Sequence, residues 1–210
     1  MRILLAFATL VAAGASAPDV SKLVLKPAQV GSGYVMFQRR DGVGVKNTVT
    51  LDLCGRTGYP SESKRTARLQ VDYLKQGSKL GLSNEVVVYK PGGAVQAMSE
   101  VLRHAVTCPK TPVKADPTLP PLRFTITRIR VPKLLQGYLA VRVRVTGTVK
   151  GKHYDQVSYA VYQRLGNVLS GTYSFTVGAA AKAQLDFVVH AAQQSAANLR
   201  RGKIPVGPPA

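Results

Sequence analysis

The sequence predicts an α+β domain: a twisted antiparallel sheet, a meander in its C-terminal half, with two helices packed on one face and one disulfide. Three observations predict it. First, the apolar spacing changes period along the chain, from twofold to 3.6, back to twofold and again to 3.6. Second, the turn signals Lys150-Gly151-Lys152 and Gly166-Asn167 join the later strands consecutively. Third, Cys54 and Cys108 are the only cysteines, one ending a strand pattern and the other a helix pattern.

The elements follow in order. Val20 to Ser32 reads as an extended segment, and Tyr34 to Gln38 as a short strand before a turn-rich stretch to Gly44. Val49, Leu51 and Leu53 alternate in a strand that delivers Cys54. Tyr59 to Glu62 is loop chemistry. Ala67, Leu69, Val71 and Tyr73 alternate with polar residues, and Val86 to Tyr89 makes the next strand. Pro91-Gly92-Gly93 breaks the chain before the helical stripe Ala94, Ala97, Met98, Val101, Leu102, Ala105. The four prolines of Thr111 to Pro121 mark a connector. Leu122 to Val131 is a strand whose phase slips near Thr127-Arg128, which predicts a bulge. Tyr138 to Val149, Tyr154 to Arg164 and Leu169 to Val177 complete the meander. Ala181, Leu185, Val188, Val189, Ala192, Ala196 and Leu199 then form the stripe of a last helix, capped near Gly202.

Composition bounds the chemistry. Of 210 residues, 45% are apolar and 19% charged, enough for one real core. Lys and Arg number 29 against 10 Asp and Glu, a net charge of +19. So short an acidic inventory excludes a carboxylate-rich calcium or magnesium cage. Two thiols with His104 cannot complete a structural zinc site, and no metal is expected. No cofactor is expected either: Gly31-Ser32-Gly33, Gly42-Val43-Gly44 and Gly92-Gly93 each lack the rest of a phosphate-cradling motif.

Met1-Arg2, the apolar run Ile3 to Ala13 and the small residues Gly14 to Ala17 form the pattern of a secretory signal peptide, cut after Ala17 or Ala15. The apolar run is shorter than the roughly 20 residues of a spanning helix. With the signal removed, no transmembrane segment is expected. The predicted divisions are 1–17 signal peptide, 18–33 extended N-terminal segment, 34–202 a single α+β domain and 203–210 a flexible tail. Export makes a Cys54–Cys108 disulfide the simplest state of the two cysteines.

Candidate sites are few. Ser61-Glu62-Ser63-Lys64 matches the Ser-x-x-Lys of penicillin-binding proteins, but Ser61 precedes a strand-like stretch and the companion motifs are missing. A secreted hydrolase using Ser61 or an unrecognised site is therefore the alternative, and a non-enzymatic binding domain the leading reading. Glu62 and Glu85 each suit an ion pair with Arg65 or Arg68 beside the disulfide. On the polar side of the meander, Arg142, Arg144, Tyr154, Tyr162 and Arg164 are taken to share one phase with Gln156, Ser158, Thr172 and Ser174. Arginines that make paired hydrogen bonds, with tyrosines for contact area, suit an anionic ligand. The expected partner is an anionic envelope component, whether lipid, wall polymer or small molecule, with the protein secreted and wall-associated. Nucleic acid is disfavoured for an exported chain without a base-stacking pattern.

Leu25 to Pro109 resembles a group of exported proteins and lipoproteins of actinobacteria. The residues that carry it are Gly33-Tyr34, Thr50 to Gly55, Tyr59-Pro60-Ser61-Glu62, Arg65, Arg68, Gln70, Ser83 to Val87, Tyr89 and Cys108-Pro109. The whole layout is similar to the PknH-like class of extracellular sensor domains of actinobacterial receptor serine/threonine kinases. That resemblance implies an antiparallel sheet with helices on one side and a cleft, and a sensor-like binding role without catalytic residues.

Overall fold

The computed structural model describes residues 18–41, 53–54, 58–78, 80–114, 118–176, 181–202 and 204. The signal-peptide pattern, most of the alternating stretch at 48–53 and the tail beyond 204 lie outside them.

Seven strands form one antiparallel sheet. They are β1 (Tyr34–Asp41), β2 (Arg65–Lys75), β3 (Leu80–Tyr89), β4 (Arg123–Arg128), β5 (Gly137–Val149), β6 (Lys152–Leu165) and β7 (Val168–Thr176). Their spatial order is β1-β2-β3-β7-β6-β5-β4, so the N-terminal and C-terminal meanders meet where β3 pairs with β7. Short helices α1 (Val20–Leu23) and α2 (Pro27–Val30) precede the sheet, a 3₁₀ turn spans Pro60–Lys64, and α3 (Gly93–Val106) and α4 (Ala181–Arg201) are the long helices.

The class is the expected one, but the helices do not share a face. α3 buries Ala94, Ala97, Met98 and Val101 against Val87, Tyr89, Leu139, Val141, Tyr162 and Leu169. α4 buries Val188, Ala192, Ala196 and Leu199 against Leu69, Val71, Val86, Val161 and Val168. Successive strand residues point to opposite faces, so these sets lie on opposite sides of the sheet.

The reason is turn length. Lys150-Gly151 is a two-residue turn, both residues at positive φ (51° and 75°), and Val149 pairs with Lys152. Such a turn pairs odd-numbered residues of one strand with even-numbered residues of the next. Leu139, Val141 and Val143 on β5 therefore stand beside Tyr162, Ala160 and Ser158 on β6, while Val157, Tyr159 and Val161 turn to the other face. With apolar rows on both faces, a helix is needed on each.

Two local expectations also change. Residues 18–33 are not extended: α1 and α2 dock Leu23, Val24, Leu25 and Val30 into the α4-side core. Asn84 holds this segment, its Oδ1 accepting from Leu25 N (2.9 Å) and its Nδ2 donating to Gly171 O (3.0 Å). Asn198 on α4 donates to the carbonyl of Val24 (3.1 Å). The bulge expected at Thr127-Arg128 is absent, and β4 keeps register with β5 through Arg128. The apparent slip arises because Phe124 and Ile126 pack on the α3 side, whereas Ile129 and Val131 pack on the α4 side. Register shifts lie instead at Met36/Gln38 and Arg65/Ala67. The edge strand β1 leaves Val35, Met36 and Phe37 exposed.

Candidate ligand-binding cleft

On the α3 side the helix covers only one end of the sheet. Beyond it lies a cleft of about 580 Å³ to which every strand contributes. Two glycines shape its floor. A Cβ at Gly81 would stand 2.1 Å from the Phe175 ring, and one at Gly171 would overlap the Tyr173 hydroxyl. The missing side chains let both aromatic rings lie low over the strands, which leaves open space above them.

The two ends of the cleft differ. Toward β4 it is apolar, with Phe124, Val143, Val145, Ala160 and Tyr162, and the Phe175 ring lies over β3 in the middle. Tyr162 and Tyr173 meet edge to face at 5.5 Å. Burial, with Tyr162 and Glu85 nearby, holds the Tyr173 hydroxyl well above its ordinary pKa, so it stays protonated. Toward β1 the cleft is mostly polar, with Gln38, Arg40, Gln70, Asp72, Ser83 and Glu85, and Phe37 at its margin. Arg40 Nη2 lies 2.5 Å from Asp72 Oδ2, Arg68 pairs with Glu85, Arg68 Nη2 donates to Gln70 Oε1 (2.6 Å), and Gln70 Nε2 donates to Ser83 Oγ (2.8 Å). Each arginine faces one carboxylate, so this end carries hydrogen-bonding groups but little net charge.

The disulfide closes the rim. Cys54, at φ 62°, lines the cleft beside Leu53, and its bond to Cys108 ties that wall to the chain leaving α3. Beneath α3, Arg65 pairs with Glu62, as Arg68 does with Glu85, both pairs almost fully buried. These are the pairings expected from the sequence, and they serve the structure. Ser61 is also fully buried: its Oγ donates to Glu100 Oε2 (2.6 Å), pinning the 3₁₀ turn to α3. His104 packs against Tyr59 at 4.6 Å between ring centroids, and His153 and His190 are exposed.

The sequence-predicted residues do not form one site. Arg142 and Arg144 pair across the strands with Tyr159 and Val157 and lie on the α4 side; Tyr154, Tyr162 and Arg164 pair with Gly147, Leu139 and Gly137 and lie on the α3 side. Tyr162 alone of the five lines the cleft. Tyr154 donates to Gln156 near one end of β6, and Arg164 Nη1 donates to Gly166 O (3.2 Å) at the other. Thr172 and Ser174 fall on the α4 side and are buried. Gln38, Arg40, Gln70 and Asp72 were missed because β1 and β2 were not aligned with the later strands; their alternation was legible.

Among the described residues no cluster of three His, Cys, Asp or Glu could hold a metal ion, and no helix is long and apolar enough to cross a membrane. No protein-family model matches the chain, and no curated protein matches it. Among solved structures it is similar to the extracellular domain of PknH from Mycobacterium tuberculosis, with a TM-score of 0.54 and 15% identity over 83% of this chain and 93% of that one. At that identity the likeness establishes a shared α+β fold.

Proposed function

We propose that this chain is a secreted, non-enzymatic binding domain of sensor type, and that its cleft holds an amphiphile. The observation that carries the reading is the division of the cleft into an apolar aromatic end and a polar, nearly charge-balanced end. A ligand matching both has a hydrocarbon or aromatic body over Val143, Val145 and Phe175. Its uncharged or zwitterionic, hydroxyl-rich head meets Gln38, Gln70 and Ser83. The volume suits a small-molecule ligand, since such sites run about 300–1,000 Å³. The leader pattern, the disulfide and a fold shared with an extracellular domain support an extracellular setting, the actinobacterial envelope being the proposed one.

Native mass spectrometry of the secreted protein, before and after organic extraction, tests this reading. Wild type is expected to release a small amphiphile and then to bind the fluorescent probe anilinonaphthalene sulfonate. Ser158→Trp, which fills the cleft floor, is expected to lose both while remaining folded. Equal occupancy in the two proteins would refute the cleft. Turnover of ester, amide or glycan substrates that disappears in Ser61→Ala would replace this reading with the hydrolase.

A further inference from the structure

The opposite face of the sheet carries a second, independent surface. α4 packs on β6 and β7 and leaves the outer part of β4 and β5 uncovered. There the register sets arginine beside threonine in three successive rows: Arg123 opposite Thr146, Thr125 opposite Arg144, and Thr127 opposite Arg142. Each row offers one guanidinium and one hydroxyl. Directly paired side chains stand about 5 Å apart, and rows two residues apart about 7 Å. The second spacing is close to that of successive phosphates along an extended phosphodiester chain.

Charge decides what fits. Among the described residues of these strands Asp155 is the one acid, and it is exposed: Arg144 reaches it through Nε (2.9 Å) and Nη2 (2.5 Å). Exposed pairs of this kind are weak because solvent screens them, so a phosphate can take over the guanidinium. Arg123 gives one hydrogen bond to the Lys110 carbonyl and keeps its other donors. Arg142 makes no ion pair or hydrogen bond among the described residues, and the whole chain carries +19. Among the described residues, none of the exposed large apolar side chains belongs to β4 or β5, so these strands offer nothing to enter a bilayer. No exposed aromatic ring is offered for stacking a base.

We propose that this arginine–threonine face binds a linear polyol-phosphate polymer of the cell wall. The guanidiniums take successive phosphates and the threonines the polymer's hydroxyls. The surface is separate from the cleft and does not depend on what the cleft holds.

The test measures binding of purified poly(glycerol phosphate) by titration calorimetry across a salt series. It compares wild type, Arg142→Gln/Arg144→Gln, and the charge-matched control Lys75→Gln/Arg103→Gln. Vesicles of phosphatidylglycerol and phosphatidylcholine, and an oligothymidylate, are titrated in parallel. Wild type is expected to bind the polymer saturably. The Arg142/Arg144 variant is expected to lose at least tenfold, with its log–log salt slope reduced by about 2, while the control changes less than threefold. Unchanged probe binding in the cleft shows that the variant is folded and leaves the cleft reading untouched. Equal losses in variant and control would reduce the interaction to net charge and overturn the site. Tighter binding of the vesicles or the oligonucleotide would overturn the choice of partner.

Discussion

The two faces of the sheet solve different problems. The α4 side buries its polar groups as neutral hydrogen-bonding side chains: Asn84, Ser170, Gln163, Ser195 and Asn198 hold backbone or one another. The α3 side buries charges as well, in the pairs Glu62–Arg65 and Glu85–Arg68. Neutral partners fix the N-terminal segment at modest cost if one is lost. Ionic partners make the cleft end of the sheet specific in geometry but intolerant of losing either member.

The largest effect should therefore fall on the α3 side. Arg68→Met leaves Glu85 buried without its cation and is expected to cost about 3–5 kcal/mol in urea unfolding. Adding Glu85→Leu should recover most of that loss. A double variant no more stable than the single one would show that the pair itself, not an unpaired charge, supplies the stability. Next comes the covalent tie: Cys54→Ser/Cys108→Ser is expected to cost about 2–4 kcal/mol, with hydrogen exchange rising first at the Cys54 end of the cleft. On the α4 side, Asn84→Ala strands the Leu25 N–H and should cost about 1–3 kcal/mol, with faster exchange confined to residues 23–30. An Asn84 effect as large as that of Arg68 would erase the contrast between the faces.

The smallest effects belong to the open arginine–threonine surface. Arg142→Gln/Arg144→Gln should leave the urea midpoint unchanged within error, as exposed substitutions do. Its signature is a titration. The Arg144 hydrogen bonds hold the Asp155 carboxyl below its ordinary 3.8. A lowered folded-state value means the pair helps above the ordinary carboxylate range and is lost as pH falls through the folded-state value. In Arg144→Gln, the Asp155 carbon resonance should titrate closer to 3.8, and an unchanged midpoint would remove Arg144 as the cause.

Much of this was legible in the sequence. Apolar alternation identified Leu69 to Tyr73 and the β5 to β7 meander, the 3.6-residue stripes identified both long helices, and the two cysteines identified the disulfide. What failed was the transfer of phase from strand to strand. Arg142 and Arg164 are both even-numbered and were placed on one face, yet Lys150-Gly151 and Gly166-Asn167 are two-residue turns that reverse parity at each hairpin. The information was present in turns already recognised. Had it been applied, the apolar rows of Leu139 to Val143 and Val157 to Val161 would have fallen on opposite faces, and the need for two helical layers would have followed. The glycine-under-aromatic floor was less accessible. Gly171 and Tyr173 are two apart in sequence, but Gly81 and Phe175 are brought together only by the pairing of β3 with β7.

The outer edge of β1 bears on behaviour in concentrated solution. Val35, Met36 and Phe37 stand exposed along a strand that is at the sheet edge among the described residues, the usual starting point for sheet-to-sheet accretion. After Gln38 come Arg39 and Arg40, and the irregular step between Met36 and Gln38 interrupts a flat run of donors and acceptors. Those two cations and that step act as a guard against uncontrolled stacking of one molecule on the next, so a more soluble variant should preserve them, keep Phe37 for the cleft and dilute Val35 and Met36 instead.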